Sequence, residues 1–207
     1  MSVSDEPMSF ELVSKLVNNG ELDKLSRSPE VMDKYNAHKQ YFRDKGIDMV
    51  TYILSHELHW VPEDTPLDTP SHELLETVVK PVDKRPFANA KDMTIIQNSY
   101  PYHLESGIEH LCVWVKFPLP PDPNSAIGDI SPKDKNLIEK YINETFCNWL
   151  NIPRDHIAWF KNWAKLQSVK SVPHIHVIIK DMDRQALDRV LHTGGKAINY
   201  GSDDCKL

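Results

Sequence analysis

The run His174-Ile175-His176-Val177-Ile178-Ile179-Lys180 constrains this chain more than any other stretch. It is rich in β-branched residues and reads as a strand. Successive side chains of a strand point to opposite faces, so Ile175, Val177 and Ile179 share one face while His174, His176 and Ile178 share the other. The first face is wholly aliphatic and must be core. The second sets two imidazoles side by side. A buried polar group without a partner costs about 1 to 3 kcal/mol. The two rings therefore either line a cleft with partners or are satisfied structural histidines on the solvated face of an edge strand.

The rest of the chain supplies the frame for that strand. SFELVSKLVNNG places Phe10, Val13, Leu16 and Val17 on one helical face and stops at Gly20. Ser28-Pro29-Glu30 is an N-cap followed by proline at the first helical position, opening a helix that closes at Gly46, and a third helix runs from about Asp48 to His59. Residues 8–60 thus form a helical layer. Prolines 62, 66, 70, 81 and 86 mark residues 61–90 as wrapping loop, with one short helix near His72 to Val79. Residues 91–207 form an α+β core. Its strands are 93–97, 108–116, 156–160 and 174–180, and a helix starting at Ser131-Pro132 is ended by Pro153. The 207 residues suffice for a single domain with its own core.

Charge narrows the function classes. With 24 Lys+Arg against 30 Asp+Glu the net charge is -6, which argues against a broad nucleic-acid or anionic-membrane footprint, since both need a basic face. Cys112, Cys147 and Cys205 are odd in number and widely spaced, so no disulfide framework is expected and a reducing, cytoplasmic setting fits. No apolar run reaches 18 residues and the N-terminus lacks an apolar signal region. Cys205-Lys206-Leu207 approximates a peroxisomal address, although the acidic Asp203-Asp204 before it favours an ordinary tail.

The segment AWFKNWAKLQSVKSVPHIHV resembles the signature region of the histidine-triad superfamily, with Asn162 at the family's loop asparagine and Ser171-Val172 leading into the strand. EHLCVWVK, Glu109 to Lys116, looks like that family's preceding strand, and Asn98-Ser99-Tyr100-Pro101 like the nucleoside-side Asn-x-x-Pro element of its uridylyltransferase branch. This resemblance covers residues 91 to 185. It implies an antiparallel sheet of histidine-triad type and a nucleotide or nucleotide-sugar phosphate hydrolase or transferase. His176 would be the nucleophile, with His174 and Ser171 as phosphate or leaving-group contacts and Asn98, Asn162 and His110 at matching motif positions; apart from the resemblance, Lys170 could pair with a phosphate oxygen and the loop residue Trp163 could stack a base. The departures are Ile178 at the third triad position, Lys170 in place of glutamine, and a loop after Asn162 one residue longer. They leave open a protein that kept the pocket and lost turnover. Over nearly its whole length, in QNSYPY, IEHLCVWVKFPLP and SVPHIHV, the chain is also similar to the fungal N-acetylglucosamine-induced protein family.

Weaker candidates have plainer readings. His56-Glu57-Leu58-His59 lacks the i, i+4 histidines of a zincin helix and reads as helix surface. A cupin-type metal site would want a glutamate three or four residues after His-x-His, where the nearest acids are Asp181 and Asp183. Gly194-Gly195-Lys196 reads as a flexible turn. The expected partner is therefore a small phosphorylated molecule, with no nucleic acid, membrane, cofactor or metal, and with a homodimer left open as the oligomeric form.

Overall fold

A computed structural model describes residues 2–201 of the chain, so Cys205-Lys206-Leu207 lies outside the described residues. Ser2–Val3 (β1) pairs in parallel with Ser26–Arg27 (β2). Between them runs Phe10–Asn18 (α1), whose first turn is held by the Ser9 side chain accepting from the Leu12 N–H. Pro29–Lys45 (α2) starts at the Ser28 cap and ends at Gly46, whose φ of 65° lets the chain turn back on the last carbonyls. Met49–Tyr52 (α3) widens into a π-helical turn, Ile53–Glu57. Asp48 holds this corner by accepting from the Val50, Thr51 and Ser71 N–H groups. Ser71–Thr77 (α4) is the short helix of the proline-rich stretch. Behind it, the buried Asp92 accepts from the Val82 and Asp83 N–H groups.

Four strands follow: Met93–Gln97 (β3), Ile108–Val115 (β4), Ile157–Phe160 (β5) and His174–Lys180 (β6). They form one antiparallel sheet in the order β3-β4-β6-β5, so the histidine strand is central. Pro132–Ile142 (α5), extended by a second π-helical turn over Asn143–Trp149, lies between β4 and β5 in sequence. Arg184–Val190 (α6), capped by Asp183, is a helix that the sequence pattern did not announce. The backbone after it bonds to the outer edge of β3 through His192 and Thr193, each at 2.8 Å from Ile95. Gly194 and Gly195 are packed rather than free: a Cβ on Gly194 would sit 1.8 Å from the Ala90 carbonyl oxygen, and one on Gly195 2.6 Å from the Tyr141 hydroxyl.

The fold is α+β, with each face of the sheet covered by a different part of the chain. Ile175, Val177 and Ile179 join Ile95, Leu111, Val113 and Val115 in the main core, under Ile138, Tyr141, Ile142 and Phe146 from α5 and its extension and Leu187 and Val190 from α6. The histidine face meets the N-terminal layer in two separate apolar clusters. At one end Phe10, Val13 and Leu16 of α1 pack on Ile178, Ala158 and Phe160. At the other, Ile53 and Leu54 pack with Ile96, Cys112, Trp114, Val169 and Val172. The imidazoles lie between these clusters. The edge-strand alternative is thus set aside, because β6 has a partner on both sides.

Phe146 is fully buried in the main core. Phe146→Ala should lower unfolding free energy by about 3 to 5 kcal/mol in a guanidinium titration. A loss under about 1 kcal/mol would show that the α5 layer does not close the sheet as described.

Candidate functional site

The register of β4 on β6 builds the site. Trp114 stands opposite His174, Cys112 opposite His176, and His110 opposite Ile178, while Phe160 of β5 lies on the other side of His176. Cross-strand partners project from the same face. Three histidine and cysteine side chains of β4 and β6 therefore converge: His110 Nε2 is 3.0 Å from His176 Nδ1, and Cys112 Sγ is 3.6 Å from the same nitrogen. Tyr102 stacks on His110, with centroids 5.0 Å apart and planes 6° apart, and Phe160 stacks on His176 at 5.0 Å and 11°. These aromatic walls fix both rings.

The donors and acceptors assign the protons. The Tyr102 backbone N–H donates to His110 Nδ1 at 3.2 Å, which puts the proton of a neutral His110 on Nε2; that nitrogen donates to His176 Nδ1 at 3.0 Å, and Asn98 Nδ2, 3.2 Å from it, then directs its hydrogen to Cys112 instead. His176 must then hold its own proton on Nε2, which lies 3.1 Å from the Asn162 side-chain amide. That contact is sound only with the amide turned so that its oxygen accepts, an orientation that also answers the partnerless Oδ1 otherwise left in the wall. Asn98 is held by its Oδ1, which accepts from the Tyr100 N–H at 2.9 Å, and its Nδ2 donates to Cys112 Sγ at 3.4 Å. His174 differs. Its Nδ1–H donates to the Val172 carbonyl at 3.0 Å, which leaves the Nε2 lone pair without a partner among the described residues.

A cavity of about 80 Å³ lies above these rings. Its floor is Ile96, Cys112, Trp114, His174 and His176, and α2 and α3 contribute Tyr35, His38, Tyr52 and, from the π-helical turn, Glu57. Exposed Lys39, Ser99 and Ser168 form its rim. Arg27 also lines it: a buried guanidinium that donates from Nε to the Tyr100 carbonyl at 2.8 Å and lies against the Tyr35 and Tyr102 rings. Burial pushes the Glu57 carboxyl above its ordinary range and the Tyr100 phenol up to about 12; the phenol also meets His38 Nδ1. Trp114 stacks on His174 at 4.2 Å, and its Nε1–H, buried, has no acceptor among the described residues.

Of the residues expected from sequence, His174, His176, Asn98 and Asn162 meet at this cavity. His110 is next to it but behind its lining, in contact with His176 and Asn98. Lys170 and Ser171 are exposed, and Ser171 borders a separate hollow with Trp60 and Pro173. Their neighbours Val169 and Val172 are anchored in the cluster beneath α3, which forces the two residues between them outward. Trp163 packs beside α1 and lines a different cleft along β5. Glu57, expected on a helix surface, is instead at the cavity. Arg27, Glu57, Cys112 and Trp114 escaped the sequence reading. For Cys112 a signal existed, because His110-x-Cys112 repeats the period of His174-x-His176 on a second strand.

This α+β chain, with a polar cavity set between a helical layer and a central histidine strand, belongs to the DUF3605 family, described as proteins of unknown function, whose profile matches residues 9–180. It is 36% identical over 192 residues to N-acetylglucosamine-induced protein 1 of Candida albicans, an alignment covering 91% of this chain and 74% of that protein. An uncharacterised protein of Saccharomyces cerevisiae is 27% identical over 194 residues, with 93% and 89% covered. A crystal structure of HTC1 superimposes with a TM-score of 0.69 at 25% identity, over 92% of this chain and 99% of that one. Among the described residues no helix is long and apolar enough to cross a membrane.

The buried rings tie stability to pH. Burial lowers His110 to about 3, His174 to about 4 and His176 well below its ordinary value. Below the unfolded-state value of about 6.5 the unfolded chain takes up protons that the folded chain refuses, so each ring removes about 1.4 kcal/mol of stability per pH unit. Guanidinium titrations at pH 7.5 and pH 5 should differ by several kcal/mol, less stable at pH 5. Equal midpoints would contradict the burial described.

Proposed function

We propose that the protein binds a compact phosphorylated metabolite, a sugar phosphate or the phosphate end of a nucleotide, in the His174–His176 cavity, and acts as a non-catalytic binding protein in the response to N-acetylglucosamine. One observation carries this reading: the indole N–H of Trp114, in the cavity wall, is a buried donor that lacks an acceptor among the described residues. Arg27 and Lys39 add positive charge. Leaving such a group unmatched costs about 1 to 3 kcal/mol, which an acceptor-rich anion would recover. Glu57 and Asn98 in the lining and Ser99 at the rim suit sugar hydroxyls. The name of the Candida relative supports the link to N-acetylglucosamine.

The proton assignment supports a reading without turnover. A nucleophilic imidazole needs a lone pair, and in His176 one nitrogen accepts from His110 while the other carries the proton. Ile178, at the third triad position, packs fully buried against α1 and offers no hydrogen bond.

A second reading retains chemistry of histidine-triad type, a nucleotidyl hydrolase or transferase, and one observation favours it. His174 presents an Nε2 lone pair at the cavity, oriented by its Nδ1–H on Val172. The nucleophile would then be His174.

A thermal-shift panel of N-acetylglucosamine 6-phosphate, glucosamine 6-phosphate, uridine and adenosine monophosphates and inorganic phosphate tests the first reading. A binder present at a hundred times its Kd adds about 2.7 kcal/mol of stability, read as a rise in Tm that Lys39→Gln and His174→Gln each diminish. No shift with any compound at millimolar concentration, or the same shift in both variants, would overturn it. Incubation with a nucleotide labelled at the α-phosphate separates the two readings. The binding reading expects no acid-labile label on the protein, whereas the catalytic one expects label that survives His176→Gln and disappears in His174→Gln.

A further inference from the structure

The geometry points to a metal site in the floor of the cavity, formed by His110 Nε2, Cys112 Sγ and His176 Nδ1, for a single d-block ion of the Zn2+ type. The ligand atoms of the three buried residues all lie within 4.8 Å of one another. Two of the separations are 3.0 Å, nitrogen to nitrogen, and 3.6 Å, sulfur to nitrogen. Tetrahedral zinc bonds would space such pairs by about 3.3 and 3.6 Å. These two pairs match to within a few tenths of an ångström, and the third, His110 Nε2 to Cys112 Sγ, lies within 4.8 Å and would close on the ion by up to about 1.2 Å. The donors come from neighbouring strands in fixed register, and the aromatic rings stacked on both imidazoles restrain their tilt. The two-nitrogen, one-thiolate set is borderline-soft and suits Zn2+ or Co2+ over Mg2+ or Ca2+.

The surrounding groups complete the site. Asn98 Nδ2, at 3.4 Å from Cys112 Sγ, would donate to the thiolate, and Asn162 would accept from His176 Nε2–H, fixing the tautomer that leaves Nδ1 for the ion. The Cys112 thiol loses its proton to solvent, and its electron pair goes to the ion. His110 moves its proton from Nε2 to Nδ1, so the 3.2 Å contact from the Tyr102 N–H opens. His176 keeps its proton. One proton is therefore released per ion. Because Cys112 and His176 line the cavity while His110 stands behind them, the fourth position faces the cavity. This inference goes beyond the binding reading, and neither requires the other. The expectation of no metal rested on acids following His176 in sequence, whereas two of these ligands come from β4.

The test uses the full chain, stripped with chelator and titrated with Zn2+ or Co2+ alone. The expected results are one ion per chain, about one proton released per Zn2+ in calorimetry across buffers of different ionisation enthalpy, and a thiolate-to-cobalt charge-transfer absorption. Cys147→Ser/Cys205→Ser leaves Cys112 as the single thiol and should retain that absorption. Cys112→Ser should abolish it, and His110→Gln should weaken Zn2+ binding at least about 10-fold. Stoichiometry well below one, no proton release, or a cobalt spectrum without the thiolate band in the double variant would overturn the site. Because no sugar phosphate or nucleotide is present, failure here is distinct from failure of the cavity to bind its metabolite.

Discussion

The antiparallel register between β4 and β6 is the constraint on which the rest depends. Side chains alternate with a period of two, so a slip of one residue would send His110, Cys112 and Trp114 into the main core and bring Leu111 and Val113 to the N-terminal layer. The slip is forbidden by the aliphatic face. Ile175, Val177 and Ile179 on one strand and Leu111, Val113 and Val115 on the other are fully buried under α5 and α6. A hydrophobic core on one side of the sheet thereby holds a polar cluster in place on the other.

Burying that cluster has electrostatic consequences. Three imidazoles and a thiol in close contact cannot all be charged at low dielectric, so burial holds the histidines neutral and the Cys112 thiol protonated, up to about 12. Neutral rings then act as directional donors and acceptors. The chain from the Tyr102 N–H through His110 and His176 to Asn162 runs one way, because each neutral ring has one nitrogen of each kind. Two adjacent histidines of one strand thus differ in kind: His176 is saturated within the protein, and His174 faces the cavity with an Nε2 lone pair that has no partner among the described residues.

The N-terminal layer completes the site without filling it. α1 and the α3 region pack as two apolar patches on the histidine face, and the space between them stays polar. The π-helical turn at Ile53–Glu57 matters here, because widening the helix by one residue brings Glu57 round to the cavity while Ile53 and Leu54 stay in the apolar cluster. The family assignment covers this layer and the sheet together, from residue 9 to residue 180. The cavity lies between the two.

The sequence by itself determined the local structure. Ser28-Pro29 with Gly46, Ser131-Pro132 and the alternation in MTIIQ and HIHVIIK placed helices and strands at nearly their observed bounds, because caps, proline and period-two patterning act within a few residues. It also showed that one face of the histidine strand had to be core. It did not show α6, whose seven residues carry too short an apolar pattern, nor that β6 was central. Asn98 and Asn162 were legible through a family resemblance, whereas Lys170 and Ser171 fell outside the cavity once Val169 and Val172 took their anchors. Arg27, Glu57, Cys112 and Trp114 come from four separate segments, and their meeting was decided by strand order and by the docking of the helical layer. Those are long-range packing choices, and no local spacing encodes them.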